Sequence, residues 1–161
     1  MTSRKLSDLS STMQAKAEMF LAACETDDWL RRNGITVLVT CTWRSPAEQD
    51  QLYAQGRAAP GRIVTRARGG QSWHNAINAA IQPAAEALDI VPLRHGKPVW
   101  GNVGDGIDDD STDDDVDDLE VWQRIGALGK AAGLNWYGDP DADFREFPHF
   151  QNPAPTMRRS I

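Results

Sequence analysis

The sequence predicts a single α+β domain, spanning residues 1–161, with a small antiparallel sheet flanked by helices. Three observations predict it. The chain is 161 residues long with 40% hydrophobic and 25% charged residues, an ordinary globular composition for one domain. Helical periodicity near each end of the chain is separated by short apolar, β-rich runs. Turn residues recur at close intervals, and neither a linker nor an internal repeat divides the chain.

Residues 7–30 carry Met13, Ala17, Phe20, Leu21 and Cys24 at helical spacing, and Ser7 is a candidate cap. Gly34 breaks that pattern before the β-branched run Ile35 to Cys41, which reads as a buried strand. Ser45-Pro46-Ala47-Glu48 is a capping box with proline in the first turn, so a helix is expected up to about Gln55 and a stop at Gly56. Residues 58–71 read as a Gly- and Arg-rich loop. Asn75 to Glu86 is Ala-rich and reads as helical, interrupted at Pro83. Leu88 to Pro92 reads as a strand, and Arg94-His95-Gly96-Lys97 as a hairpin turn leading into Val99-Trp100. Leu119 to Ala132 is an amphipathic helix with Leu119, Trp122, Ile125 and Leu128 on one face and Gly133 at its end. Leu134-Asn135-Trp136 and Phe147 to Phe150 read as the last strands.

The net charge is −6 and the pI is near 5.0, which argues against nucleic acid as the main partner. The acidity is local. Ten carboxylates and no base lie between Asp105 and Glu120, leaving the rest of the chain mildly basic. Cys24 and Cys41 have no metal or redox spacing and read as two buried free thiols. The first residues lack an apolar signal core, and no stretch is long enough to span a membrane. Synthesis in the cytoplasm, no membrane insertion and a monomer are the expectations.

Three histidines are present: His74, His95 and His149. His74 follows a glycine-led loop, Gly69-Gly70-Gln71-Ser72-Trp73, and His149 ends the run Glu146-Phe147-Pro148. Each is either a structural histidine among aromatics or a metal ligand near a carboxylate. A catalytic zinc site takes three protein ligands and leaves a position for water or substrate. Such a site needs a nearby carboxylate to move protons, and Glu146 is placed for that role unless it is a solvated loop acid.

Ser72-Trp73-His74-Asn75, Ala87-Leu88-Asp89-Ile90-Val91-Pro92 and Glu146-Phe147-Pro148-His149-Phe150 resemble the zinc D-Ala-D-Ala carboxypeptidase and L-alanyl-D-glutamate endopeptidase family, which includes VanY- and VanX-type enzymes and many phage endolysins. Thr40 to Gln49, with Arg44-Ser45, is similar to that family's Y-R-S-x-x-x-Q element, and Gly133 to Asp139 to its Trp-Gly-Gly element. Together these cover roughly residues 35–151 in the family's order. The resemblance implies a Hedgehog/D,D-peptidase-like architecture and a zinc peptidase acting on the peptidoglycan stem peptide. It implies His74, Asp89 and His149 as zinc ligands, Glu146 as general base and acid, and Arg44 as a substrate or oxyanion group. Ser72 and Trp136 would serve substrate binding or the surroundings of the metal. A phage endolysin that reaches the wall after release from the cytoplasm is the implied setting. A D,D-carboxypeptidase or dipeptidase with the same site, and a catalytically silent metal- or calcium-binding domain, are the alternatives.

Two departures stand out. The family's spacing would put its aspartate on Ile81 and its glycine on Ile77, so an insertion within residues 76–86 is required to bring Asp89 into the site, with Glu86 as the other candidate carboxylate. The acidic insertion at about 105–118 also contains an approximate EF-hand register. Asp109, Ser111, Asp113, Asp117 and Glu120 fall at ligand positions, with Asp114 where the loop glycine belongs. Calcium is therefore a second cofactor expectation.

Overall fold

Ser10, not Ser7, opens the first helix: its hydroxyl accepts the backbone N–H of Met13. The computed structural model describes residues 2–100, 118–140 and 145–159. The helix expected over 7–30 is two helices, α1 (Ser11–Thr26) and α2 (Asp28–Arg32). Asp27 divides them because it adopts an extended backbone and caps α2, accepting from the Leu30 N–H at 3.0 Å. Met13, Ala17, Phe20 and Cys24 form the buried face of α1.

Helix α3 (Pro46–Ala54) starts on the predicted capping box, with Ser45 and Glu48 each bonding the other's backbone. Helix α4 (Asp118–Ala131) ends at Gly133, whose φ of 82° is the left-handed conformation of a helix terminator. The strands are β1 (Ile35–Cys41), β2 (Ala76–Ile77), β3 (Ala87–Arg94), β4 (Lys97–Pro98), β5 (Asn135–Trp136), β6 (His149–Gln151) and β7 (Arg158–Arg159). The main sheet runs β1-β3-β6-β5, with β4 forming a hairpin on β3, and every pairing is antiparallel. The fold is one α+β domain with a small antiparallel sheet, as the sequence predicts.

The Ala-rich stretch is not helical. A 3-10 turn (Trp73–Asn75) leads into β2, which pairs with β7. Asn78 then accepts the N–H groups of Ala80 and Gln82, and Ile81 takes a φ of 60°. An asparagine that offers its side chain to the following backbone competes with the helix, and Pro83 removes a donor.

The core lies between α1, α4 and the sheet, around Trp122, Phe20, Phe150, Met13, Leu88 and Ile90. Two α4 glycines let the sheet approach closely. A Cβ at Gly126 would stand 2.2 Å from the Trp136 ring, and one at Gly129 would stand 2.4 Å from Phe150. Glycine inside a helix costs roughly 1 kcal/mol relative to alanine, which this packing offsets. Cys24 and Cys41 are buried free thiols. No described helix is long and apolar enough to cross a membrane.

Candidate active site

Strand register sets the centre of the site. Asp89 on β3 is paired directly with His149 on β6 on one side and with Cys41 on β1 on the other. Residues opposed across a ladder point to the same face, so the carboxylate and the imidazole meet without any loop arranging them. His74 arrives from the 3-10 turn. That turn is tied down by Arg44 N–H to the His74 carbonyl at 3.1 Å and by Asn75 Nδ2 to the Arg44 carbonyl at 2.8 Å.

The three predicted ligands converge. His74 Nε2 and His149 Nδ1 each lie 3.0 Å from Asp89 Oδ1, and 3.3 Å from each other. The outer ring nitrogens are engaged elsewhere. His74 Nδ1 is 2.6 Å from the carbonyl oxygen of Thr42, which accepts only if Nδ1 carries the proton. His149 Nε2 faces Gln151 Oε1 at 3.4 Å. With a metal ion between them, protons on the outer nitrogens facing Thr42 and Gln151 would leave His74 Nε2 and His149 Nδ1 as the donor atoms. The donor set fits a single divalent ion.

Cys41 is close enough to form an alternative trio with His74 and Asp89. Its sulfur, however, lies 3.6 Å from His74 Nδ1, the nitrogen that already donates to Thr42, and it accepts from Arg44 Nε at 3.4 Å. Burial, helped by the nearby Asp89 charge, pushes the Cys41 thiol up to about 11. His149 Nδ1 lies nearer than the Cys41 sulfur to the point where His74 Nε2 and Asp89 Oδ1 meet.

Electrostatics follow the same geometry. Burial lowers the pKa of His74. Burial opposes charge on Asp89, yet the two imidazoles hold it well below the usual carboxylate range. Burial also works against His149, but Asp89 raises it. Glu146 is raised by its burial, with His149 pulling the other way.

Arg44 is buried, and three of its donors are committed: Nη2 to Asp89 Oδ2 at 2.6 Å, Nη1 to Gln49 Oε1 at 3.3 Å, and Nε to Cys41. These contacts brace the Asp89 carboxylate, and Arg44 also lines the cleft. Gln49 in turn donates to Thr65 Oγ1 and the Ala67 carbonyl. Ser72 caps the 3-10 turn by accepting the His74 N–H. Trp136 is not among the residues lining the cleft. It is buried in the core because α4 glycines admit its ring, and its Nε1 donates to the Phe147 carbonyl, bracing the Glu146–His149 segment from behind.

Glu86 is fully buried and turned to the C-terminal segment, accepting from Asn152 Nδ2, the Thr156 N–H and hydroxyl, and the Met157 N–H. His95 lies on the β3–β4 hairpin turn at a φ of 48°, outside the cleft. Of the calcium candidates, Asp109, Ser111, Asp113 and Asp117 lie outside the described residues, and Glu120 is exposed on the first turn of α4. Among the described residues Glu120 joins no metal-binding group.

The trio opens onto a cleft of about 660 Å³. Glu146, Arg145 and Phe147 line it together with Thr65, Ala67, Trp73 and Trp100. Sequence reading gave no role to Thr42, Gln151 or Arg145. Gln151 had a usable signal, since it stands two residues after His149 on a strand and so shares its face. The Thr42 contact is a backbone oxygen and has no side-chain signature.

Two imidazoles and a carboxylate around one point, with half-buried Glu146 in the same cleft, make a donor set of the kind metal-dependent hydrolases use. No family model matches the chain. Over 145 residues it is 34% identical to the peptidoglycan L-alanyl-D-glutamate endopeptidase CwlK of Bacillus subtilis (strain 168), covering 90% of this chain and 74% of that protein. The fold is similar to the crystal structure of the Serratia marcescens L-Ala D-Glu endopeptidase ChiX, with a TM-score of 0.50 and 14% identity over 94% of this chain and 88% of the other. The chain belongs to the peptidoglycan L-alanyl-D-glutamate endopeptidase family, whose members are hydrolases of the wall peptide.

Proposed function

We propose that this protein is a zinc endopeptidase that hydrolyses the L-alanyl-D-glutamate amide of the peptidoglycan stem peptide, acting as a phage endolysin in host lysis. The observation that carries the reading is the meeting of His74 Nε2, Asp89 Oδ1 and His149 Nδ1 within 3.3 Å on the wall of a cleft that also holds Glu146. The match to a curated endopeptidase supports the bond, and the two-histidine, one-carboxylate donor set supports zinc.

Bound zinc would supply Lewis acidity to the scissile carbonyl and lower the pKa of a water. His74 and His149 contribute neutral nitrogen lone pairs, and Asp89 contributes one oxygen while Arg44 holds the other. Glu146 accepts a proton from the attacking water as its oxygen bonds to the carbonyl carbon, then returns that proton to the nitrogen as the C–N bond breaks. Burial raises Glu146, which strengthens it as a base and readies it as an acid. Arg44 and Gln49 keep Asp89 fixed throughout.

The test is zinc content and muropeptide release for the wild type and Asp89→Ala together. About one zinc per chain and release of L-Ala-terminated product, both lost in Asp89→Ala, is expected. Release of terminal D-Ala instead would make it a carboxypeptidase. Zinc retained in Asp89→Ala would overturn the ligand set. Plaque-stage lysis by a phage carrying the Asp89→Ala allele checks the lytic role, which requires its loss.

A further inference from the structure

We propose that Arg145 reads the free carboxylate of the D-glutamyl residue next to the scissile bond, and so selects unamidated stem peptide. The proposal rests on the endopeptidase reading above and names a determinant of its specificity.

A D-glutamyl residue acylated at its nitrogen has two carboxyl groups. The peptide continues through one of them. The other remains beside the scissile bond as a carboxylate, or as a primary amide where the wall is amidated. That residue also bears the leaving nitrogen, so it must lie where Glu146 returns its proton. A cation for its carboxylate therefore belongs on the cleft wall next to Glu146.

Two guanidiniums line the cleft, those of Arg44 and Arg145. Three of the five Arg44 donors are engaged by Asp89, Gln49 and Cys41, which hold its guanidinium beside Asp89. Arg145 precedes Glu146 directly and is half-buried. Its Nε donates to the Gly138 carbonyl at 3.3 Å, and its guanidinium lies 5.3 Å from the Phe147 ring centre. These contacts hold one edge of the plane and leave both Nη atoms without a hydrogen-bond partner among the described residues. No described carboxylate pairs with it. A planar fork held at one edge and open at the other matches a carboxylate in bidentate fashion. An amide in the same place presents an NH₂ to a donor and loses one of the two bonds, so discrimination should be large.

The experiment compares kcat/KM for two synthetic stem peptides that differ only at that carboxyl, free acid against primary amide, using zinc-loaded wild type, Arg145→Gln and Arg145→Lys. Wild type is expected to favour the acid at least tenfold. Arg145→Gln should bring the ratio within twofold by slowing the acid alone, and Arg145→Lys should keep an intermediate ratio. A merely structural Arg145 would slow both peptides equally, and an unchanged ratio in Arg145→Gln overturns the proposal. So does a wild type that cleaves both peptides at the same rate, which leaves the endopeptidase reading intact. A wild type that cleaves neither overturns both.

Discussion

Arg44 Nη2 stands 2.6 Å from Oδ2 of Asp89, so one oxygen of that carboxylate meets a buried cation while the other meets two imidazoles. The carboxylate is thereby held with Oδ1 alone toward the two imidazoles. A lysine has a compact ammonium that cannot reach Asp89, Gln49 and Cys41 together. Arg44→Lys is expected to weaken zinc affinity roughly 10–100-fold, the usual effect of losing a ligand's supporting partner. Competition with a chromophoric chelator measures it.

Glu146 lines the cleft and makes none of the ligand contacts. Glu146→Gln should therefore keep zinc at the wild-type stoichiometry and lose about 10²–10⁴ in kcat, the range for general acid–base catalysis. Metal analysis beside a muropeptide assay checks both halves. Zinc lost from the variant would place Glu146 among the ligands.

Gln151 Oε1 faces the outer nitrogen of His149 at 3.4 Å from a position two residues along the same strand. Gln151→Leu leaves the outer nitrogen of His149 without its acceptor. Zinc affinity should fall about 10–100-fold, with kcat at saturating zinc close to wild type.

Glu86 gathers four hydrogen bonds from the C-terminal segment in a fully buried position. Glu86→Ala strands the buried Asn152 amide, at about 1–3 kcal/mol for a buried group left unsatisfied, and frees Thr156 and Met157 to water. A loss of about 1–3 kcal/mol in urea unfolding is expected, with zinc binding retained by whatever fraction is folded. Loss of zinc without loss of stability would instead argue for Glu86 as the ligand.

Asp27 joins α2 to α4 through Arg124 Nε at 3.1 Å. Burial raises this carboxyl, but the Arg124 and Leu30 hydrogen bonds win and its pKa lies below the ordinary value. A depressed carboxylate stabilises above its unfolded pKa of about 3.9, and that contribution disappears as pH falls through the lower folded value. Asp27→Asn keeps the cap and removes the charge. It should cost about 1 kcal/mol at pH 7, because Arg124 is half exposed. That gap should close as the pH is lowered below about 4, as thermal unfolding of both proteins across pH would show.

Much of this molecule is written locally. The Ser45–Glu48 box, strand Ile35 to Cys41, the face of the last helix and its stop at Gly133 depend on neighbours within a few residues, so pattern and capping chemistry reveal them. That His74, Asp89 and His149 come together was legible as well, through the resemblance of their surrounding motifs to a known family. The stretch from Asn75 to Glu86 misled because alanine favours helix while Asn78, Pro83 and pairing with the distant β7 override it. That same path shows how the altered spacing is accommodated: a turn and a short strand carry the chain from His74 to β3. Tertiary structure alone decided that Asp89 and not Glu86 joins the site, because the antiparallel register pairs Asp89 with His149 and sends Glu86 to Asn152 and the C-terminal segment. It alone turned Arg44 toward Asp89 and Trp136 into the core. Those outcomes depend on groups between eleven and about seventy residues apart, which local propensity does not relate and only packing brings into contact.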